Sequence, residues 1–288
     1  MEKLQRVLVF GGSGQLGSEI VRRWEGLSIS APSSSEVNVE DDAAVARAVE
    51  SARPDIVVNC TAFHNVEQCE REPERAFAVN ALAVSAMAKR CREAGAVFVT
   101  ISTDYVFDGE LGRPYTENDR PNPTNAYGAS KLAGEHLALL LESNAFVVRT
   151  CGVYGTRISS SKGYTFVDKI VKAARSGEPL RIVTDQTVSP TYAGDLADAL
   201  RALVETRAYG LYHLVNEGAV SWYDFATETL KCAGLSHPIE PVSSRQWASS
   251  VRRPAFSALA TDTVKSLGIE MPTWRQGIAN YLRDKASV

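Results

Sequence analysis

The chain alternates between short blocks that are apolar at nearly every position and longer blocks that are apolar every third or fourth residue. The first pattern predicts strands covered on both faces, and the second predicts amphipathic helices. RVLVF (Arg6–Phe10) is a predicted strand and Gln15–Arg23 a predicted helix. Residues 27–30 form a weak second strand, 41–53 an Ala/Val-rich helix opened by acids, and 55–60 (DIVVNC) a fully apolar strand. Acids at the start of 41–53 suit the positive end of a helix. Residues 73–94 read as one long helix, with Pro73 near its start and Gly95 after its end. A strand at 96–103, a helix over Ala126–Leu141 and a strand over Ala145–Thr150 complete the first half. Strand–helix alternation with apolar strands predicts a parallel, doubly wound α/β sheet of Rossmann-like type.

Beyond residue 150 the regularity weakens. Gly, Ser and Lys collect at 152–163. Predicted helices follow at Phe166–Ser176, 192–205, 222–233 and 273–283, with strands at Leu180–Val183 and 212–216. The expected division is a dinucleotide-binding domain over 1–150, with contributions from about 180–216. The rest, 151–288, is mainly a smaller, discontinuous substrate-binding lobe interleaved with it.

Length and composition fit such a protein: 288 residues, 44% hydrophobic and 23% charged. A net charge of −3 gives no reason to expect nucleic acid or an anionic membrane as partner. The five cysteines are spread out, with no CxxC or Cys/His cluster, so neither a disulfide framework nor a metal site is expected. His136, His213 and His237 have no partners at metal-ligand spacing. No signal-like leader and no apolar stretch of membrane-spanning length is seen, which makes a reducing cytoplasm the expected location.

GGSGQLG (11–17) follows a strand and opens a helix, the context in which a glycine triad signals dinucleotide binding. Gly11 permits a tight turn, Gly14 lets backbone amides approach a pyrophosphate, and Gly17 lets the helix pack on the strand. Gln15 and Leu16 belong to the same turn, whose helix N-terminus offers unpaired N–H groups to an anion. An NAD-selective site usually has an acid about 20 residues further on. Residues 30–34 contain neither an acid nor an arginine, which leans to NADPH, or to use of NADH as well.

The reaction chemistry is predicted by STDYVFDG (102–109) and YGASK (127–131). Tyr127 and Lys131 are four apart on a predicted helix and share a face. A phenol has a pKa of about 10, and lowering it by roughly 3 units takes about 4 kcal/mol. One positive charge at about 4 Å in an effective dielectric of about 20 supplies that much. Lys131 is therefore expected to tune Tyr127 and to hold the cofactor ribose. Tyr127 gives a proton to a ketone oxygen, and Thr103 adds a hydrogen bond to the same oxygen. Strand C-terminal ends are where open α/β sheets bind ligands, and Thr103 closes such a strand.

These residues resemble an extended short-chain dehydrogenase/reductase, and more narrowly the dTDP-4-dehydrorhamnose reductase family. The marks run through almost the whole chain: GGSGQLG, RPDIVVNCTAF (53–63), STDYVFDG, YTEND (115–119), YGASKLAGE (127–135), RTCGVYG (149–155), DQTVSPTY (185–192) and RRPAFSAL (252–259). The resemblance implies NAD(P)H-dependent reduction of a 4-keto-6-deoxy sugar nucleotide, with Thr103, Tyr127 and Lys131 as catalytic residues. It implies that Asn38 and Val39 flank the adenine, that Cys60, Thr61 and Ala62 line the cofactor, and that Asn80 belongs to the same cofactor side. Asp104 and Tyr105 would border the substrate, joined in the second lobe by Phe166, Gln186 and Arg253. Some members dimerise around magnesium through glutamates, one of which Glu19 matches, so a homodimer is left open while no metal is expected.

The chain departs from the family at Asn38, usually an aspartate, at Cys60 and Thr61, usually an alanine run, at or next to Gly152, usually a tryptophan, and at Thr165, usually an asparagine. The last two bear on the identity of the sugar nucleotide. Elimination enzymes of the superfamily carry an acid where Tyr105 stands. Two other readings share the fold: an epimerase with tightly held NAD, and a non-catalytic NADP-binding regulatory subunit. Arg252 and Arg253 could meet a diphosphate. His64, near the expected cofactor mouth, is read as structural, the EREPER run (70–75) as a solvated helix start, and Trp222 with Phe225 as core.

Overall fold

A computed structural model of the chain describes residues 4–157, 165–246 and 251–287. Part of the glycine- and serine-rich stretch 152–163 therefore lies outside the described residues. The centre is a six-stranded, wholly parallel sheet in the order β2-β1-β3-β4-β5-β8. Its strands are β1 (Arg6–Phe10), β2 (Ser28–Ser30), β3 (Ile56–Asn59), β4 (Val97–Thr103), β5 (Ala145–Thr150) and β8 (Gly210–His213). The first five come from the first half of the chain, and the sixth returns from the second.

Successive strand residues serve opposite faces, so both layers are apolar, as all-parallel sheets require. On one face Val7, Val9, Ile56, Val58, Val97 and Val99 pack with Leu16 and Ile20 of α1 (Gln15–Arg23), with Trp24 just after it, and with Leu196, Leu200 and Leu203 of α8 (Ala193–Thr206). On the other face Leu8, Phe10, Val57 and Phe98 meet Val45 and Val49 of α2 (Asp42–Ala52), Val84, Met87 and Ala88 of α5 (Ala83–Ala94), and Ala138 of α6 (Ala126–Leu141).

The long helix expected over 73–94 is interrupted. The chain runs through α3 (Val66–Arg71), α4 (Pro73–Phe77), a π turn at Ala78–Leu82, and then α5. The π turn places Asn80 inward, where its amide bonds the backbone of Phe63 in both directions (2.9 Å each) and the Ser130 hydroxyl of α6 (3.0 Å). The EREPER run is therefore the break between α3 and α4. Its Glu70 accepts from the Ala126 amide (2.6 Å) and so charges the N-terminus of α6.

The second lobe contains α7 (Phe166–Ser176), a parallel pair of β6 (Leu180–Val183) with β10 (Ile239–Val242), and an antiparallel pair of β7 (Thr187–Val188) with β9 (Val220–Ser221). α9 (Trp222–Cys232), α10 (Asp262–Ser266) and α11 (Trp274–Ala286) complete the chain. Of the stretch 180–216, only the part from α8 onward joins the first layer; β6 pairs with β10 instead, a short strand that the polar sequence there does not reveal. The strand expected at 212–216 ends earlier, at His213, because Asn216 leaves the ladder to bond Asp195 and the Tyr192 amide. Among the described residues no helix is long and apolar enough to cross a membrane.

α6 lies against the turn after β4 and against the π turn with almost no clearance. A Cβ on Gly128 would overlap the Tyr105 carbonyl oxygen, and one on Gly134 would overlap the Asn80 carbonyl oxygen. Gly128→Ala should destabilise the fold by about 1–3 kcal/mol through this overpacking, seen as a lowered denaturation midpoint. An unchanged midpoint would show that the backbone yields freely there.

Candidate active site

Three C-terminal strand ends converge above the sheet. β1 feeds the glycine turn, β3 feeds residues 60–65, and β4 ends at Thr103. Gly11 sits at φ +80° against the backbone of Cys60 and Thr61, where a Cβ would lie only 3.0 Å from the Cys60 carbonyl carbon. A Cβ on Gly12 would come within 2.7 Å of the Ala31 methyl group, and one on Gly17 would overlap the Gly11 carbonyl. Gly14 is the N-cap of α1 and supplies no side-chain cap; no acid occupies the first turn. The first amides of α1 are thus left for a ligand, in a cradle fitting a pyrophosphate. Gln15 and Leu16 begin that helix: Leu16 is buried in the core, and Gln15 meets Gly155 from the second lobe.

Asn38 and Val39 lie in the loop after β2. Asn38 accepts from the Glu40 amide, and Val39 packs on the core. In the same loop the Glu36 carboxylate turns back onto the amide and hydroxyl of Ser33 (2.7 Å each). Thr61 donates to Asn59 (2.6 Å), which holds the loop after β3 beside the glycine turn. Burial pushes the Cys60 thiol up to about 12, which leaves it without thiolate character. The His64 ring contacts its own loop at the Ala62 carbonyl. Asn80 is buried, and its amide ties the 60–65 loop to α6.

Thr103 and Tyr127 are brought together: the Thr103 hydroxyl lies close enough to the Tyr127 phenol to favour its charged form. Thr103 also accepts from the Tyr105 amide (3.2 Å), fixing its rotamer at the strand end. Lys131 lies one helical turn beyond Tyr127 and donates from Nζ to the Ile101 carbonyl of β4 (2.6 Å). The expected acidification of Tyr127 by Lys131 is not what this arrangement produces. Burial raises the Tyr127 phenol above its ordinary value, and the Thr103 hydroxyl offsets that only in part. Burial also lowers Lys131, to about 8. A neutral phenol carries the proton that a ketone oxygen takes up on reduction, and the raised value makes it a weaker acid than a free phenol.

Asp104 is turned away from the opening. Its carboxylate accepts from Thr103 (3.1 Å) and Ser257 (2.6 Å), and burial raises its pKa. Tyr105 sets its ring edge-on to Tyr127, with centroids 5.7 Å apart. Arg253 reaches Glu67 of α3 (2.5 Å) and the Tyr105 phenol, while its Nε is buried without a partner. It arrives there because RRPAFSAL is threaded as a strap, with Ala258 bonded to the Tyr115 amide and Ser257 to the Thr187 carbonyl. Arg252 pairs instead with the exposed Glu110.

Phe166 stands in the second lobe against Trp222, ring centroids 4.6 Å apart. Gln186 donates to Ser244 (2.9 Å), and its carbonyl accepts from the Trp222 amide. Trp222, read from sequence as core, is only partly buried, and its ring edge lies 3.0 Å from where a Gly152 Cβ would be. Thr165 caps α7 through the Asp168 amide. Glu19, the candidate metal glutamate, is buried in α1 and already engaged by Thr156 (2.6 Å), Arg22 and Arg23. Among the described residues no group of three or more metal-ligating side chains occurs.

The family model described as "RmlD substrate binding domain" matches residues 5–287. The chain is 37% identical over 286 residues to the spore coat polysaccharide biosynthesis protein SpsK of Bacillus subtilis (strain 168), covering 99% of each. It is 36% identical over 283 residues to a dTDP-4-dehydrorhamnose reductase of Streptomyces griseus, covering 95% of this chain and 91% of the relative. Its fold is similar to the crystal structure of a dTDP-4-dehydrorhamnose reductase from Bacillus anthracis str. Ames in complex with NADP, with a TM-score of 0.92 and 32% identity, covering 98% of this chain and 100% of that one.

The burial difference among the thiols is directly measurable. Iodoacetamide at pH 8 should alkylate exposed Cys232 in the folded protein and spare Cys60, as read by peptide mass spectrometry. Modification of Cys60 at a comparable rate would mean that the cradle opens.

Proposed function

The chain belongs to the RmlD substrate-binding-domain family, and from that premise we propose that it is an NADPH-dependent reductase (NADH as alternative) of a 4-keto-6-deoxy sugar nucleotide, as in dTDP-L-rhamnose formation. The observation that carries this reading is the Thr103–Tyr127 contact at the end of β4, beside the glycine cradle. Residues 1–150, with α8 and β8, would bind the dinucleotide, and the remainder would hold the sugar nucleotide.

When bound, a reduced nicotinamide supplies the hydride. Tyr127, neutral at pH 7 as a phenol is, donates its proton to the ketone oxygen as that oxygen gains charge. Thr103 steadies the phenol and, after proton loss, the phenolate. The Lys131 charge offsets the phenolate and holds the cofactor ribose. Gly11, Gly14 and the first turn of α1 bind the pyrophosphate, with Gly17 allowing the close packing; Cys60, Thr61 and Ala62 form the adjoining wall, and Asn38 and Val39 the adenine end. Tyr105 borders the sugar, and Arg253, with its unpartnered Nε, takes the diphosphate. Phe166 and Gln186 belong to the nucleotide end. With Tyr105 where an eliminating enzyme needs an acid, and Asp104 turned inward, the set favours reduction over elimination.

Loss of NADPH absorbance with dTDP-4-keto-6-deoxy sugars, or with their other nucleotide counterparts, tests the assignment. No turnover above background across such a panel would refute it. Tyr127→Phe should keep NADPH affinity and lose turnover by about 100-fold or more, and undiminished turnover would remove Tyr127 as the proton donor. Arg253→Met should raise KM for the sugar nucleotide about tenfold, with a smaller effect on kcat, as loss of a charge-assisted contact does. An unaltered KM would place the diphosphate elsewhere.

A further inference from the structure

We propose that Glu135 is a positioning residue for this reaction: its buried carboxylate, one turn beyond Lys131, anchors α6 on the sheet and keeps the Lys131 ammonium charged. The inference rests on the reductase reading, in which that charge offsets the phenolate of Tyr127.

The geometry begins with the ladder. Ser102 of β4, Arg149 of β5 and His213 of β8 are register partners across three neighbouring strands. All three are buried, and they form one polar row across the sheet. Tyr127, Lys131 and Glu135 follow one another at four-residue spacing along α6 and therefore share a face. Glu135 meets the row directly. It accepts from Arg149 Nε (2.9 Å) and Nη2 (2.7 Å) and from the Ser102 hydroxyl. Relative exposure is 4% for Glu135, 2% for Arg149 and 4% for Lys131, so water screens none of these charges effectively.

Lys131 faces Glu135 on its own helix, Cys60 from the loop after β3, and the Ile101 carbonyl of β4. Behind Glu135 stand Arg149 of β5 and, beyond it, His213 of β8. Burial and the Arg149 charge push His213 down to about 3, so it stays neutral. Burial drives Lys131 toward its neutral amine, and among its neighbours Glu135 is the foremost group opposing that. Without the carboxylate, Lys131 would lose the acid that opposes its burial, while the Arg149 charge stayed buried behind it. The amine would then release its proton more easily. Because proton transfer needs that charge, activity should fall at a lower pH.

Lysine labelled with 13C lets the Lys131 ε-methylene be titrated by NMR with no substrate present, so an error in the substrate assignment leaves this test intact. In Glu135→Gln the midpoint should move down by about one pH unit or more, and the alkaline fall of kcat should move with it. In Glu135→Gln combined with Arg149→Gln, the midpoint should lie between the single variant and the native protein. If the single variant does not fold, the double variant, with no charge buried alone, carries the reading through a midpoint below the native one. A native midpoint in either variant would overturn the proposal.

Discussion

Everything at this site depends on how closely α6 approaches the end of β4. Gly128 sets that distance under the Tyr105 carbonyl, just after β4, and Gly134 lets the π turn close in at the Asn80 carbonyl. With side chains there the helix would have to stand off, and Tyr127 could not reach the Thr103 hydroxyl. The approach is then fixed at several points. Asn125 and Glu70 satisfy the helix N-terminus, Asn80 ties Ser130 to the loop after β3, and Lys131 bonds the strand at Ile101.

The same closeness decides the protonation states. A helix pressed onto a parallel sheet excludes water, so Tyr127 and Lys131 on its inner face are driven toward their neutral forms. For Tyr127 that form is the acid. For Lys131 it is the wrong form, and the compensating carboxylate lies one turn away. Arg149 meets the same carboxylate across the sheet, so one buried acid faces both cations. Opposite demands on two residues of one helix face are thus met by a single ladder row.

The second lobe reaches the site by threading. The 252–259 strap runs beside β7 and the Tyr115 bridge, delivering Ser257 to Asp104 and Arg253 to Tyr105. Such long-range placement explains why the aspartate following Thr103 turned out to be internal. Its partner, Ser257, is 153 residues away in the chain, and no local pattern announces it.

Local rules settled much from the sequence. Gln15–Arg23, Ala126–Leu141, Ala145–Thr150 and Phe166–Ser176 were legible to the residue, because apolar period and capping residues act within a few positions. The glycine turn and the Tyr127/Lys131 spacing were legible for the same reason. Tertiary structure alone decided the π turn at Asn80, the pairing of β6 with β10, the inward turn of Asp104, and the raised rather than lowered phenol of Tyr127. Each follows from burial or from a partner far along the chain. A spacing rule can say that a lysine and a tyrosine share a helix face; only the packed molecule says how much water is left between them.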